Sequence, residues 1–147
     1  MPSIDRTITV PGDQQAVWDY LADFTTTEEW DPPTRTTTRV SGDGGVGTVY
    51  RNVSAILGRE AEATYTVAAY DAPRRLELRG EAGRVDLHDT ITIEQVGDRV
   101  RVHYTAEFRP HGLAKLVVPV LPLALKRLGD SAAAQMERCL RGLSARS

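Results

Sequence analysis

The sequence predicts an α+β domain with a wholly antiparallel sheet, two short helices after the first strand, and a long C-terminal helix. Three observations predict it. Residues 60–109 alternate apolar and polar with period two, as half-buried strands do. Residues 122–143 instead repeat apolar side chains three and four positions apart. Between them and the first strand, two helix-start signals run into a proline pair. The chain has 147 residues, which suits one domain spanning 1–147.

In the first strand Ile4, Arg6, Ile8 and Val10 alternate with Ser3, Asp5, Thr7 and Thr9, and Pro11-Gly12 ends it. Asp13 supplies an N-cap oxygen for a helix carrying Val17, Trp18, Leu21 and Phe24 on one side. Thr26 and Glu29 have capping-box spacing for a second, short helix. Trp30-Asp31-Pro32-Pro33 stops it, since a residue preceding proline avoids the α region. A strand follows near residues 34–40, then the loop Ser41-Gly42-Asp43-Gly44-Gly45. From Val46 to Arg109 the pattern is a meander with turns at Leu57-Gly58, Ala72-Pro73, Ala82-Gly83 and Gly97-Asp98. In the strand holding Tyr50, the neighbours Val49, Arg51 and Val53 compete with it for the inward phase.

Charge fixes an expected register. A two-residue turn at Gly97-Asp98 pairs Glu94 with Arg101, His88 with Glu107 and Asp86 with Arg109. A two-residue turn at Ala82-Gly83 pairs Arg79 with Asp86 and Glu77 with His88. Unlike charges then meet across strands, as sheet energetics favour. The other face holds Leu76, Leu78, Leu87, Asp89, Ile91 and Ile93, then Val102, Tyr104, Ala106 and Phe108. One face is wet and one is buried. Upstream, Ala61, Ala63, Tyr65, Val67 and Ala69 extend the buried face, and a two-residue turn at Ala72-Pro73 sets Tyr65 opposite Gly80. Pro119 and Pro122 divide the helical end into a short helix, a kink and a long helix from about Pro122. Its apolar stripe is Leu125, Leu128, Ala132, Met136, Cys139 and Leu143. To Leu143 it would run ~33 Å, enough to cross several strands.

Composition narrows the function classes. One cysteine, Cys139, excludes an internal disulfide and a multi-cysteine zinc site. The three histidines fall on faces and loops far apart in the pattern, so no metal site is expected. A net charge of -2 and a pI near 5.9 argue against nucleic acid as a partner. The glycine-rich loop at residues 42–47 lacks a following lysine-serine pair and a strand-to-helix setting, so it is no phosphate cradle. No cofactor is expected. The N-terminus lacks a basic-then-apolar leader, which points to a cytoplasmic protein. Leu113 to Leu128 is apolar but broken by Lys115, Lys126 and two prolines, which excludes stable membrane insertion and leaves transient surface docking.

Three fragments together carry a family resemblance. They are Val10-Pro11-Gly12-Asp13 running into Val17-Trp18-Asp19-Tyr20-Leu21-Ala22-Asp23, then Glu29-Trp30-Asp31-Pro32 with the later Gly45-Val46-Gly47-Thr48, then Pro73-Arg74-Arg75-Leu76 with the Gly97-Asp98 hairpin and the terminal helix. In this order the chain resembles the START-like, or SRPBCC, superfamily over nearly its whole length, and within it the polyketide cyclase/dehydrase type with the birch-pollen-allergen fold. The resemblance implies a helix-grip fold, a curved sheet wrapped around the C-terminal helix. It also implies an apolar cavity between the two for a hydrophobic small molecule, lipid or polyketide-like.

Asp89 is the most informative residue. It stands between Leu87 and Ile91 on the buried phase, where an isolated carboxylate costs several kcal/mol or stays protonated. It therefore belongs either to a structural hydrogen-bond network or to a cavity. Tyr65 and Tyr104 share its phase and add hydroxyls that want partners. On the sheet, the expected cavity wall is Tyr65, Leu78, Leu87, Asp89, Ile91, Tyr104, Ala106 and Phe108, facing Leu125, Leu128, Ala132 and Met136 of the helix. Small residues at Gly80, Ala106, Gly129 and Ala132 are expected to leave the space open. Trp30 closes one end of the core or lines the cavity mouth. Binding or transport of a hydrophobic molecule is the leading function, because no nucleophile-base constellation is present. A cyclase, aromatase or dehydratase using Asp89 with Tyr104 or Tyr65 as acid and base is the alternative. A protein-interaction module built on the kinked helix is the third.

Overall fold

The computed structural model describes residues 3–56, 58–112 and 121–145. The expected short helix and kink at Pro119 lie outside the described residues. β1 (Ser3–Pro11) is followed by α1 (Gln14–Leu21), a 3-10 turn (Phe24–Thr26) and the one-turn α2 (Thr27–Trp30). Six strands follow, β2 (Thr34–Ser41), β3 (Val49–Ile56), β4 (Arg59–Asp71), β5 (Arg75–Ala82), β6 (Val85–Val96) and β7 (Arg99–Pro110). α3 (Leu121–Ala145) ends the described chain. The sheet order is β1-β7-β6-β5-β4-β3-β2, with every pair antiparallel. α1 and α2 carry the chain from one edge strand to the other.

Local chemistry explains the caps. Asp13 accepts from the Ala16 amide at 3.1 Å, as an N-cap should. The capping box at Thr26 and Glu29 does not form. Thr26 is already helical at φ -67°, because the 3-10 turn runs straight into α2, and its hydroxyl donates to the Asp23 and Tyr20 carbonyls instead. Asp23 takes the capping role one turn earlier, at 3.1 Å from the Thr25 amide. Glu29 accepts from the Tyr20 hydroxyl at 2.9 Å.

The β6–β7 register matches the charge argument pair for pair, from Asp86 opposite Arg109 to Glu94 opposite Arg101. The β5–β6 register differs by two residues. The turn is Gly83-Arg84, so Arg79 faces His88 and Glu77 faces Thr90. Gly83 takes φ +59° at the first turn position, where Ala82 would be strained. A two-residue slip keeps every side chain on its face. His88 therefore stays outside and reaches Glu77 diagonally at 2.8 Å, with Glu107 at 3.9 Å on its other side.

Between β4 and β5 the connection is three residues, with Asp71 opposite Arg75. A bulge between Val67 and Ala69 absorbs the extra residue, so Tyr65 still faces Gly80. The bulge moves Ala69 opposite Glu77 and away from the core, and sets Tyr70 opposite Leu76 and edge-on to Trp18 at 5.2 Å. Two expectations about open space also change. A Cβ at Gly80 would lie 2.8 Å from the Tyr65 ring and 3.2 Å from the Thr64 carbonyl oxygen. A Cβ at Gly129 would lie 3.0 Å from Ile4 and from Arg6. Both glycines serve close packing rather than a void. Gly80→Ala is expected to destabilise the fold by about 1–3 kcal/mol in urea unfolding, because the Tyr65 ring must move off its site.

α3 packs over β1 and α2. Arg6 ties it down through Asp130 at 3.1 Å and the Lys126 carbonyl at 3.2 Å. Its buried stripe is Leu125, Ala132, Met136 and Leu140, the last of these not foreseen.

Candidate functional site

A cavity of about 280 Å³ lies between the inner face of the sheet and α3. That is near the lower end of the ~300–1,000 Å³ typical of small-molecule sites. Strands β6 and β7 build its floor, because their inward phase places Leu87, Asp89, Tyr104, Ala106 and Phe108 side by side. Leu128 and Ala132 of α3 form the roof, and Trp30, Phe24 and Tyr65 the aromatic walls. Trp30 is fully buried and meets Tyr104 edge to face at 5.4 Å, while Phe24 meets Tyr65 at 5.1 Å. Of the lining residues Ala61 is exposed, and Ala82, Val85 and Phe108 are half-buried.

Nine of the residues expected from the sequence meet here: Trp30, Tyr65, Leu87, Asp89, Tyr104 and Ala106, with Phe108, Leu128 and Ala132. Leu78, Ile91, Leu125 and Met136 share the buried face but lie in packed core away from the cavity wall.

Asp89 is 5% exposed and accepts from the Tyr104 hydroxyl at 3.1 Å. Burial pushes its carboxyl from 3.8 up to about 7; the Tyr104 hydrogen bond opposes this and the Asp31 charge adds to it. Burial also raises the Tyr104 and Tyr65 hydroxyls, reinforced by Asp89 and Asp31. An Asp with this environment changes protonation near neutral pH, where a general acid or base is most useful.

A second polar group escaped the sequence reading. Asp31, Thr27, Asn52 and Ser54 all line the cavity. The Thr34 hydroxyl donates to Asp31 at 2.6 Å, and Asn52 donates to Thr34 at 3.0 Å and to Thr37 at 2.9 Å. Thr37 bonds Thr27 at 2.6 Å, and Ser54 donates to the Asn52 carbonyl oxygen at 2.7 Å. Burial raises the Asp31 carboxyl above its ordinary value, and the Thr34 hydrogen bond opposes this. Tyr50 and Asn52 prove to be the inward phase of β3, buried to 1% and 6% exposure. The available signal was a polar residue two positions from Tyr50, paired across the sheet with threonines of β2. Among the described residues no group of three His, Cys, Asp or Glu could hold a metal ion. No helix among them is long and apolar enough to cross a membrane.

A seven-stranded antiparallel sheet gripping a C-terminal helix, with a cavity between, defines a START-like (SRPBCC) helix-grip protein. Solved structures share that architecture. The Zhui aromatase/cyclase of Streptomyces sp. R1128 superposes with a TM-score of 0.74 at 18% identity, covering 95% of each chain. A protein of Thermus thermophilus gives 0.79 at 16%, covering 99% of this chain and 100% of that one. A START superfamily protein of Mycobacterium smegmatis gives 0.69 at 13%, covering 93% and 98%. These likenesses are of fold. Among curated proteins none matches the chain in sequence. Residues 1–146 match the family model described as polyketide cyclase / dehydrase and lipid transport, and the chain belongs to that family.

Proposed function

We propose that the protein binds a hydrophobic small molecule, lipid or polyketide-like, in the cavity between the sheet and α3. The observation that carries this reading is the cavity itself, whose walls are mostly apolar and whose few polar groups converge on it from α2 and its end, β3, β4, β6 and β7. Family membership supports the same class of ligand. Such a site needs only an enclosed apolar volume, polar anchors and an entrance. Native mass spectrometry of protein purified from its own host, followed by denaturing extraction, is expected to release a bound apolar or amphipathic molecule. Recovery of ligand-free protein, together with no thermal shift across a panel of lipids and aromatic polyketides, would refute the reading.

The Asp89–Tyr104 pair supports a second reading, an acid/base enzyme acting on a ligand in the same cavity. An Asp titrating near 7 can take a proton from an acidic carbon or give one to a leaving hydroxyl. Turnover with a bell-shaped pH profile, lost in Asp89→Asn while ligand binding persists, would separate the enzyme from the carrier.

A further inference from the structure

We propose that the cavity selects ligands whose polar end is a cationic hydrogen-bond donor, such as an alkyl ammonium, over those ending in a carboxylate. The inference rests on the ligand-binding reading above and specifies the chemistry of the same site. Its basis is the set of hydrogen-bonding atoms that the cavity wall leaves unused.

The polar wall spends its hydroxyls on its own acceptors. The Tyr104 hydroxyl is committed to Asp89 Oδ2, and the Thr34 hydroxyl to Asp31 Oδ2. Both Asn52 amide hydrogens are committed to threonine oxygens, and the Ser54 hydroxyl to the Asn52 carbonyl. Each carboxyl keeps a second oxygen, Asp89 Oδ1 and Asp31 Oδ1, that takes no hydrogen bond among the described residues. Among the described residues no buried polar side-chain atom is sealed off without a partner, so the Asp89 Oδ1 atom opens on the cavity. The Asp89 carboxyl thus faces the cavity with half its acceptor capacity free. The Tyr65 hydroxyl is the remaining donor, with no partner among the described residues.

The charge around the cavity agrees. Two carboxyls line it, and no Lys, Arg or His among the described residues does. Among the described residues the groups that face Asp89 are Tyr104 from β7, Tyr65 from β4 and Asp31 from the end of α2, while α3 brings Leu128 and Ala132 to the cavity. A ligand carboxylate entering this space meets like charge in a low-dielectric setting, where repulsion is strong. An ammonium meets the free Asp89 oxygen, in the field of the Asp31 carboxyl, and favours the ionised state of Asp89, just as a neighbouring cation lowers a carboxyl pKa. Binding of an amine near pH 7 therefore expels a proton from Asp89, and amine affinity rises with pH through that range.

The test uses three probes with one tail length, octylamine, 1-octanol and octanoate, titrated calorimetrically into the protein freed of bound ligand. At pH 8, octylamine is expected to bind at least tenfold more tightly than 1-octanol, with octanoate weakest. The octylamine advantage should shrink at pH 5.5. Heats measured at pH 7 in buffers of different ionisation enthalpy should reveal proton release with octylamine and none with 1-octanol. Asp89→Asn should bring octylamine to the level of 1-octanol without weakening 1-octanol, and Asp31→Asn provides the same comparison at the second acid. Octanoate binding as tightly as octylamine at pH 8, or an amine preference that survives in both variants, overturns the inference while leaving the cavity reading standing. Failure of all three probes to bind overturns the inference, and the cavity reading is then decided by the lipid and polyketide panel.

Discussion

Asp89→Asn is expected to stabilise the protein by on the order of 2–4 kcal/mol at pH 8 and to change little at pH 4. The sign follows from linkage. Asp89 is protonated more readily folded than unfolded, its folded value standing at about 7 against 3.8. Stability from this group is therefore full below the unfolded value, falls as pH rises from about 4 to 7, and is constant above. That interval corresponds to about 4 kcal/mol at 1.36 kcal/mol per pH unit. Asparagine keeps an acceptor for the Tyr104 hydroxyl and carries no charge to bury. Urea unfolding of both proteins from pH 4 to pH 9 should show curves that meet at low pH and diverge through neutrality. At pH 8 the melting temperature should rise by roughly 5–10 °C. Parallel curves would mean that Asp89 is charged and well solvated in the fold.

Ala106→Trp is expected to abolish ligand binding while leaving the sheet intact. Ala106 is 2% exposed, lies between Ile4 on β1 and Asp89 on β6, and projects into the cavity. An indole there occupies much of the 280 Å³. A ligand at a hundred times its Kd stabilises the folded state by about 2.7 kcal/mol, a readily measured thermal shift. The variant should melt cooperatively and lose that shift. Ala132→Phe fills the same space from α3 and serves as the independent check. Binding that persists in both folded variants would place the site elsewhere, and failure of both to fold would mean that the volume is packed core.

The placement of Asp89, Tyr104, Ala106 and Phe108 side by side was legible because strand alternation is strict and unlike charges fixed the β6–β7 hairpin. The register error at Ala82-Gly83 did not matter to the site, since a shift of two residues exchanges neighbours without exchanging faces. The Tyr65–Gly80 pairing also survived, through a longer loop and a compensating bulge that no sequence pattern signals. Leu78 and Met136 show the limit of periodicity. It identifies the buried side of an element, but whether a buried residue meets packing or open space depends on how closely two backbones approach there. Gly80 and Gly129 mark close approach, not space.

The sequence by itself determined the element order, the face of most strands, the Asp13 cap and the buried carboxylate at Asp89, because each follows from local period, turn chemistry or the cost of burying a charge. Only the tertiary structure decided that Asp31 joins Asp89. Asp31 follows a one-turn helix that carries no period, and its place is set by Trp30 packing on Tyr104 and by the Thr34 and Asn52 hydrogen bonds. The orientation of β3 was likewise decided by its neighbours. Its own residues offer apolar side chains to both faces, and the polar wall of the cavity exists because Asn52 finds partners on β2 once the sheet has curved around α3.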